Sequence, residues 1–347
     1  MSYHFLITGG AGFIGSNYVA RLLQRGELVT IYDNLSRAGA PLNVKWLQET
    51  YGKDSFDLVV GDIRDAALLT STVRNADAIV HLASQVAVTT SVIHPREDFE
   101  TNVIGTFNVL EAARLSGKQP IMLYASTNKV YGGMENEVVE ELETRYCYAN
   151  LPQGVAESQP LDFHSPYGCS KGAGDQYVRD YARIYDIPSV VMRQSCIYGP
   201  RQFGIEDQGW VAWFAIAALT GKPITIYGDG KQVRDLLYVD DLLNAYDAAI
   251  EKIDQVAGRI YNLGGGPENA ISVWQEFGPL LEKYLQRRIP VDFSDWRPGD
   301  QKIYISDIRK AKQELDWQPA VKVEHGIREL VDWVSAHPEY FPKEVLA

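Results

Sequence analysis

Short apolar runs recur along the first two-thirds of the chain, separated by stretches with helical spacing. Phe5-Leu-Ile-Thr8 leads into Gly9-Gly-Ala-Gly-Phe-Ile-Gly15, after which Ile14, Tyr18 and Leu22 fall at i, i+4 and i+8. That pattern predicts a buried strand, a glycine turn and an amphipathic helix from Phe13 to Arg25, stopped by Gly26. Further strands are predicted at Leu28–Asp33, Phe56–Asp62, Ala78–Ala83, Pro120–Ser126 and Ser189–Arg193, with one more around Tyr261-Asn-Leu-Gly264. A helix of roughly Asp98 to Leu115 and another from Tyr167 to about Tyr185 fall between them. Strands alternating with helices at this rhythm predict an α/β fold with a parallel, doubly wound sheet and right-handed crossovers. After Arg193 the rhythm breaks and turn signals crowd together, at Tyr198-Gly-Pro200, Gly228-Asp-Gly230, Gly264 to Pro267 and Arg297-Pro-Gly299. The expected organisation is a core of residues 1–193 and 235–264 beside a smaller discontinuous domain of 194–234 and 265–347, with ligand at the carboxyl ends of the strands.

The glycine turn carries the first chemistry. Gly9, Gly12 and Gly15 recur every third residue, and Gly10-x-Gly12-x-x-Gly15 satisfies the dinucleotide pattern. A tight turn, close approach of backbone to a pyrophosphate and close helix–strand packing each need a residue without a side chain. The helix that follows points free N–H groups and a positive dipole at whatever anion sits there. Asp33 ends the second strand, where a carboxylate can accept both ribose hydroxyls and repel a 2′-phosphate. NAD is therefore expected over NADP, although Arg37 is close by in sequence. Asp62-Ile63, at the end of the third strand, suits an adenine edge.

Composition narrows the partners. A formal charge of −12 over 347 residues leaves no basic face for nucleic acid. An anionic substrate must then be held by a few placed arginines or lysines. Cys147, Cys169 and Cys196 show no metal-binding or redox spacing, so no metal is expected and a reducing compartment suits them. The apolar run Trp210–Leu219 is too short to span a bilayer, and the chain enters its first strand at once, so a cytoplasmic protein without signal peptide or membrane contact is expected.

A second motif follows. The fifth strand ends in Ser126-Thr127, and Tyr167-x-x-x-Lys171 places a phenol and an amine on one helical face. A lysine ammonium beside Tyr167 is expected to lower its pKa from about 10 and make a usable base. The Thr127 hydroxyl can hold the substrate oxygen whose proton is removed. His164, three residues before Tyr167, is expected to be a solvated helix-entry residue, and Trp210, Trp213 and Phe214 core or lid packing.

Together with Asp33-Asn34, Gly61-Asp62-Ile63, His81-Leu-Ala83, Asn102-Val-Ile-Gly-Thr106, Arg234-Asp235, Arg297-Pro-Gly-Asp300 and Leu315-Asp-Trp-Gln-Pro319, these motifs resemble the extended short-chain dehydrogenase/reductase family over nearly the whole chain. The resemblance implies a Rossmann-type core, bound NAD and a nucleotide-diphosphate sugar as substrate. It implies catalytic Thr127, Tyr167 and Lys171. It further implies a cofactor set of Gly9, Gly12, Phe13, Ile14, Asp33, Asn34, Ser36, Arg37, Asp62, Ile63, Leu82, Ala83, Gln85, Asn102, Tyr167 and Lys171. The implied substrate set is Thr127, Asn128, Gln208, Gln232, Arg234 and Arg297, the two arginines on the diphosphate. Members that dehydrate the sugar carry Asp-Glu after the catalytic threonine; here Asn128-Lys129 stands there, which points to an epimerase. Gln85–Ser91, Glu157–Lys171 and Arg201–Val211 resemble the members that invert C2 of a CDP-activated hexose, and Cys196 replaces an amide usual in the 4-epimerases. A UDP-hexose 4-epimerase is the second reading. A non-catalytic NAD sensor is a third, disfavoured because Tyr167 and Lys171 are both kept. Pairing of the helices near 102–115 and 167–185 into a homodimer, or a homotetramer, is expected.

Overall fold

The structure is a computed structural model that describes residues 2–297 and 300–341. Pro298 and Gly299 of the expected turn, and residues 342–347 of the second domain, lie outside the described residues. Every expected run forms a strand of one parallel sheet: β1 (His4–Thr8), β2 (Leu28–Asp33), β3 (Asp57–Val60), β4 (Ala78–His81), β5 (Ile121–Thr127), β6 (Ser189–Gln194) and β7 (Ile260–Leu263). Their order is β7-β6-β5-β4-β1-β2-β3, and every neighbouring pair is parallel. Successive side chains point to opposite faces of a strand. Phe5 and Ile7 accordingly enter one hydrophobic core while Leu6 enters another, and Leu123 and Met122 divide the same way. Both faces are covered, which is why these strands read as continuous apolar runs.

Helix α1 (Phe13–Gln24) follows the glycine turn, and Gly26, at φ +76°, ends it in the left-handed region open to glycine. The helix expected from Asp98 is not uniform. A short turn at Pro95–Phe99 passes through a π-helical turn at Glu100–Ile104 before α2 (Gly105–Leu115). Such wide turns insert a residue and re-aim a side chain; here the buried residue is Asn102. Helix α3 (Ser165–Tyr185) runs as expected.

A second sheet is built on strand Val233–Tyr238, which pairs with Ala270–Ser272, Ile303–Tyr304 and Cys196–Tyr198. That strand crosses the expected boundary at 234/235. Residues 133–165 join this side rather than the large sheet. Their hairpin of Val139–Glu141 and Tyr146–Tyr148 contributes Tyr146 and Tyr148 to a core shared with Val233, Ile303 and Tyr304. Helix α4 (Trp210–Thr220) is largely buried, with Phe214 packed on Trp274 and Phe277.

Between β5, β6 and α3 lies a buried ionic network. Arg193 on β6 donates to both carboxylate oxygens of Asp175 on α3, at 2.9 and 3.0 Å, and to the Tyr131 hydroxyl at 2.9 Å. Asp175 also accepts from Ser126 at 2.7 Å. Both charged side chains are almost wholly buried, at 2% and 0% exposure, so each depends on the other for compensation. Removing the carboxylate leaves a guanidinium in the core. Asp175→Ala is expected to destabilise the fold by about 3–5 kcal/mol, read as a lower urea midpoint; an unchanged midpoint refutes that role for the pair.

Candidate active site

The site begins where backbone comes closest to backbone. Gly9 sits at φ +72°, and a Cβ there would lie 2.7 Å from Ala83 N and 2.9 Å from Leu82 C; at Gly15 it would meet Gly9 O at 2.3 Å. Only glycine lets β1, β4 and α1 meet this tightly. The N-cap of α1, Gly12, is extended and supplies no capping side chain, so the first turn's N–H groups are left for a ligand. Asp33 braces the turn, accepting from Ala11 N at 3.0 Å and Leu35 N at 2.8 Å. Asn34 Nδ2 donates to Asp62 at 3.1 Å and its Oδ1 accepts from Ser36 N. Arg64 also grips Asp62, and its hydrogen bonds hold that carboxyl down at about 2. Ile63 is buried against Gly105. A glycine cradle, a helix N-terminus and a carboxylate at the end of β2 fit a dinucleotide's pyrophosphate and adenosine ribose.

Opposite the turn, a cleft of about 430 Å³ opens between the two sheets. Phe13, Ile14, Thr127, Asn128, Tyr167, Gln208, Gln232, Arg234 and Arg297 all line it, so residues from both expected sets converge there. Gln232 is buried and donates to Tyr227 O at 2.5 Å. Arg234 pairs with Asp300 at 2.8 Å, and Arg297 with Asp207 at 3.1 Å while stacking 3.8 Å over the Tyr227 ring. Arg37 crosses from the dinucleotide side to donate to Gln208 Oε1 at 2.5 Å.

Other expected residues stand behind the cleft. Leu82 and Ala83 are bonded through their N–H groups to Thr8. Asn102 accepts from Gln85 N at 2.9 Å and donates to Gln85 O, Asp98 and Ser170. Its amide therefore holds the 85–87 loop against α3. Gln85 itself bonds Asp98 at 2.8 Å. His164 faces Asp162 and Glu135 at 3.5 and 3.8 Å, outside the cleft lining. Trp210 combines both expectations, lining the cleft while its ring packs on Phe277 at 5.1 Å.

The electrostatics correct one expectation. Burial pushes Tyr167 up to about 12; a hydrogen bond with Thr127 and the charge of Arg37 oppose this, and Asp98 adds to it. Lys171 is not among the groups acting on it. Its Nζ lies over the Tyr124 ring at 4.4 Å, and burial pushes it down to about 7 despite Asp175 and Asp98. Without ligand the lysine is only partly charged at neutrality, so spacing on one helical face did not by itself activate the phenol. His81 is held between Thr8 and Thr106 and pushed down to about 3 by burial and Lys171, so it is neutral scaffold. Lys129, Asp300 and Cys196 also line the cleft; the sequence marked all three as motif positions without placing Lys129 or Asp300 among the binding residues. Lys129's place directly after Asn128 was the available signal.

Phe13 and Ile14, which follow the glycine turn, share one cleft with Thr127, Tyr167 and, from the second sheet, Arg234, while Lys171 is buried and does not line it. This arrangement defines a short-chain dehydrogenase/reductase of the extended kind. The chain belongs to the family whose model is described as GDP-mannose 4,6 dehydratase, which matches residues 6–330. It is 44% identical over 338 residues to CDP-paratose 2-epimerase from Salmonella typhi, covering 95% of this chain and 99% of that one. The dTDP-glucose 4,6-dehydratase of Streptomyces venezuelae, solved with NAD bound, superposes with a TM-score of 0.83 at 30% identity, covering 98% of this chain and 99% of that one. The UDP-glucose 4-epimerase of Thermus thermophilus, in complex with NAD, gives 0.79 at 31% identity over 96% and 99%.

The Lys171 environment has a pH consequence. Its folded pKa of about 7 lies below the ordinary 10.5, so the unfolded chain holds the proton more tightly between those values. The destabilisation is complete below pH 7 and fades as pH rises toward 10.5. Lys171→Met is expected to raise the denaturation midpoint of the ligand-free protein most below pH 7. The gain should shrink at up to about 1.4 kcal/mol per pH unit above that; a gain independent of pH overturns the assignment.

Proposed function

We propose that the protein is an NAD-dependent epimerase that inverts C2 of a CDP-activated hexose, with CDP-paratose and CDP-tyvelose as the favoured pair and CDP-glucose and CDP-mannose next. The observation that carries this reading is the pairing of Thr127 and Tyr167 in one cleft with no carboxylic acid at the two positions that follow Thr127. Asn128 and Lys129 stand there, in place of the Asp-Glu pair that the sugar-dehydrating members carry. The CDP-sugar 2-epimerase at 44% identity supports the choice of nucleotide and carbon.

When bound, NAD supplies a hydride acceptor that returns the same hydride, so it is not consumed. The chain's residues do the rest. Tyr167, neutral in the ligand-free protein, must first lose its own proton, which the positive charge of a bound nicotinamide would favour. As phenolate it takes the proton from the C2 hydroxyl as that carbon is oxidised, and Thr127 holds the same oxygen. Lys171 orients the nicotinamide ribose. Arg234 and Arg297 exchange their carboxylate partners for the diphosphate, leaving the oxidised sugar free to turn over before its opposite face is reduced. Gly9, Gly12, Phe13, Ile14 and Asp33 hold the dinucleotide; Asn102 and Gln85 position its neighbours.

The three cysteines are free and among the described residues no helix is long and apolar enough to cross a membrane; we assign the protein to the cytoplasm. It acts as a homodimer, or a pair of dimers, through α2 and α3. Phe107 and Tyr177, whose ring centroids lie 6.1 Å apart, are exposed on these helices with Leu115 and Ile184. Apolar faces of this kind mark association sites. Light scattering at dimer mass or above across micromolar concentrations is the expected result; monomer mass throughout refutes the pairing.

The reaction itself is tested with isotopes. In D2O the epimerised CDP-sugar should carry no deuterium at C2, and substrate labelled with deuterium at C2 should keep its label after inversion. Solvent deuterium at C2 would show deprotonation instead of hydride transfer. Inversion at C4 of a UDP-hexose, with none at C2, favours the 4-epimerase.

A further inference from the structure

Lys129 enters the cleft from the turn after β5, beside Thr127, whose Oγ1 accepts from Lys129 N at 3.3 Å. Its ammonium donates to Gln301 Oε1 at 3.2 Å. Gln301 is itself buried, and its Nε2 donates to the Gly132 carbonyl, which fixes the oxygen toward Lys129. A neutral amide is thus the direct partner of a half-buried cation. The charged neighbours are Arg234, which repels it, and Asp300, which attracts it; the Cys196 thiol also faces it. Asp300 is already bonded to Arg234 at 2.8 Å. Burial and Arg234 together push Lys129 down to about 8. Two cations sharing one carboxylate at the floor of a cleft make a place for an anion.

The reacting carbon says which anion. C2 adjoins the anomeric carbon that carries the diphosphate, whereas C4 lies across the ring. With C2 held between Thr127 and Tyr167, the sugar-bearing phosphate comes beside the residues that follow Thr127 in the chain. A carboxylate there would repel it, and an ammonium attracts it. We propose that Lys129 is a positioning residue that grips the phosphate nearest the sugar and so selects C2 as the carbon presented to Tyr167. This rests on the CDP-sugar reading above and deepens it.

CDP and CMP separate the two phosphates. The NAD-loaded full-length protein is titrated with each by calorimetry at pH 7. Lys129→Met should weaken CDP by roughly ten- to a hundredfold, the worth of a charge-assisted hydrogen bond, and leave CMP unchanged. Lys129→Arg should restore CDP binding. Between pH 7 and 9 wild-type affinity for CDP should fall relative to CMP, as Lys129 loses its proton, and Lys129→Arg should abolish that fall. Equal loss of CDP and CMP in Lys129→Met, or no loss of either, overturns the proposal, as does a CDP fall with pH that survives in Lys129→Arg. Wild-type protein that binds neither nucleotide overturns the CDP-sugar reading itself, and this inference with it.

Discussion

The ion pair of Arg193 and Asp175 is the constraint on which the site depends. It ties the ends of β5 and β6 to the middle of α3, with Ser126, Tyr131 and Gln176 as further partners. Ser126 precedes Thr127 in the chain, and Asp175 lies one helical turn beyond Lys171, which is itself one turn beyond Tyr167. Fixing the buried carboxylate therefore fixes the rotation of α3 and the height of the strand end together. The pair contributes geometry more than net stability, because desolvating two charges offsets most of their attraction. What it contributes is a single arrangement of hydroxyl, phenol and amine.

Around that arrangement the cleft is electrostatically incomplete. Tyr167 is pushed up, and Lys171 and Lys129 are pushed down, mainly by loss of water. The two lysine shifts disfavour the positive charge that a nearby anion would favour, and the Tyr167 shift disfavours the phenolate. Arg297 and Arg234 meanwhile lean on Asp207 and Asp300, carboxylates of the same cleft. Arg37, from the turn after β2, reaches the cleft lining by bonding Gln208.

The strand runs, the glycine turn, helix α1 with its stop and helix α3 were legible from the order of residues alone. Their causes are local: apolar runs buried on both faces, a φ that only glycine takes easily, an uninterrupted 3.6-residue period. Legibility failed where one element met another. The helix expected from Asp98 carries a π turn because Asn102 must reach Gln85 and Ser170. The 133–165 segment packs with the second sheet, a choice made by Tyr146, Tyr148 and partners far along the chain.

Sequence by itself determined the parallel α/β core and the glycine turn, and it singled out Thr127, Tyr167 and Lys171 as candidates, because each rests on spacing within one element and its neighbour. Only the tertiary structure decided which way the Lys171 amine turns, how far burial moves each pKa, and that Lys129 meets Gln301 and Arg234. Those outcomes depend on side chains brought together across wide gaps in the chain, 172 residues for Lys129 and Gln301 and 66 for Arg234 and Asp300. They depend equally on how much water the packing excludes, and spacing encodes neither.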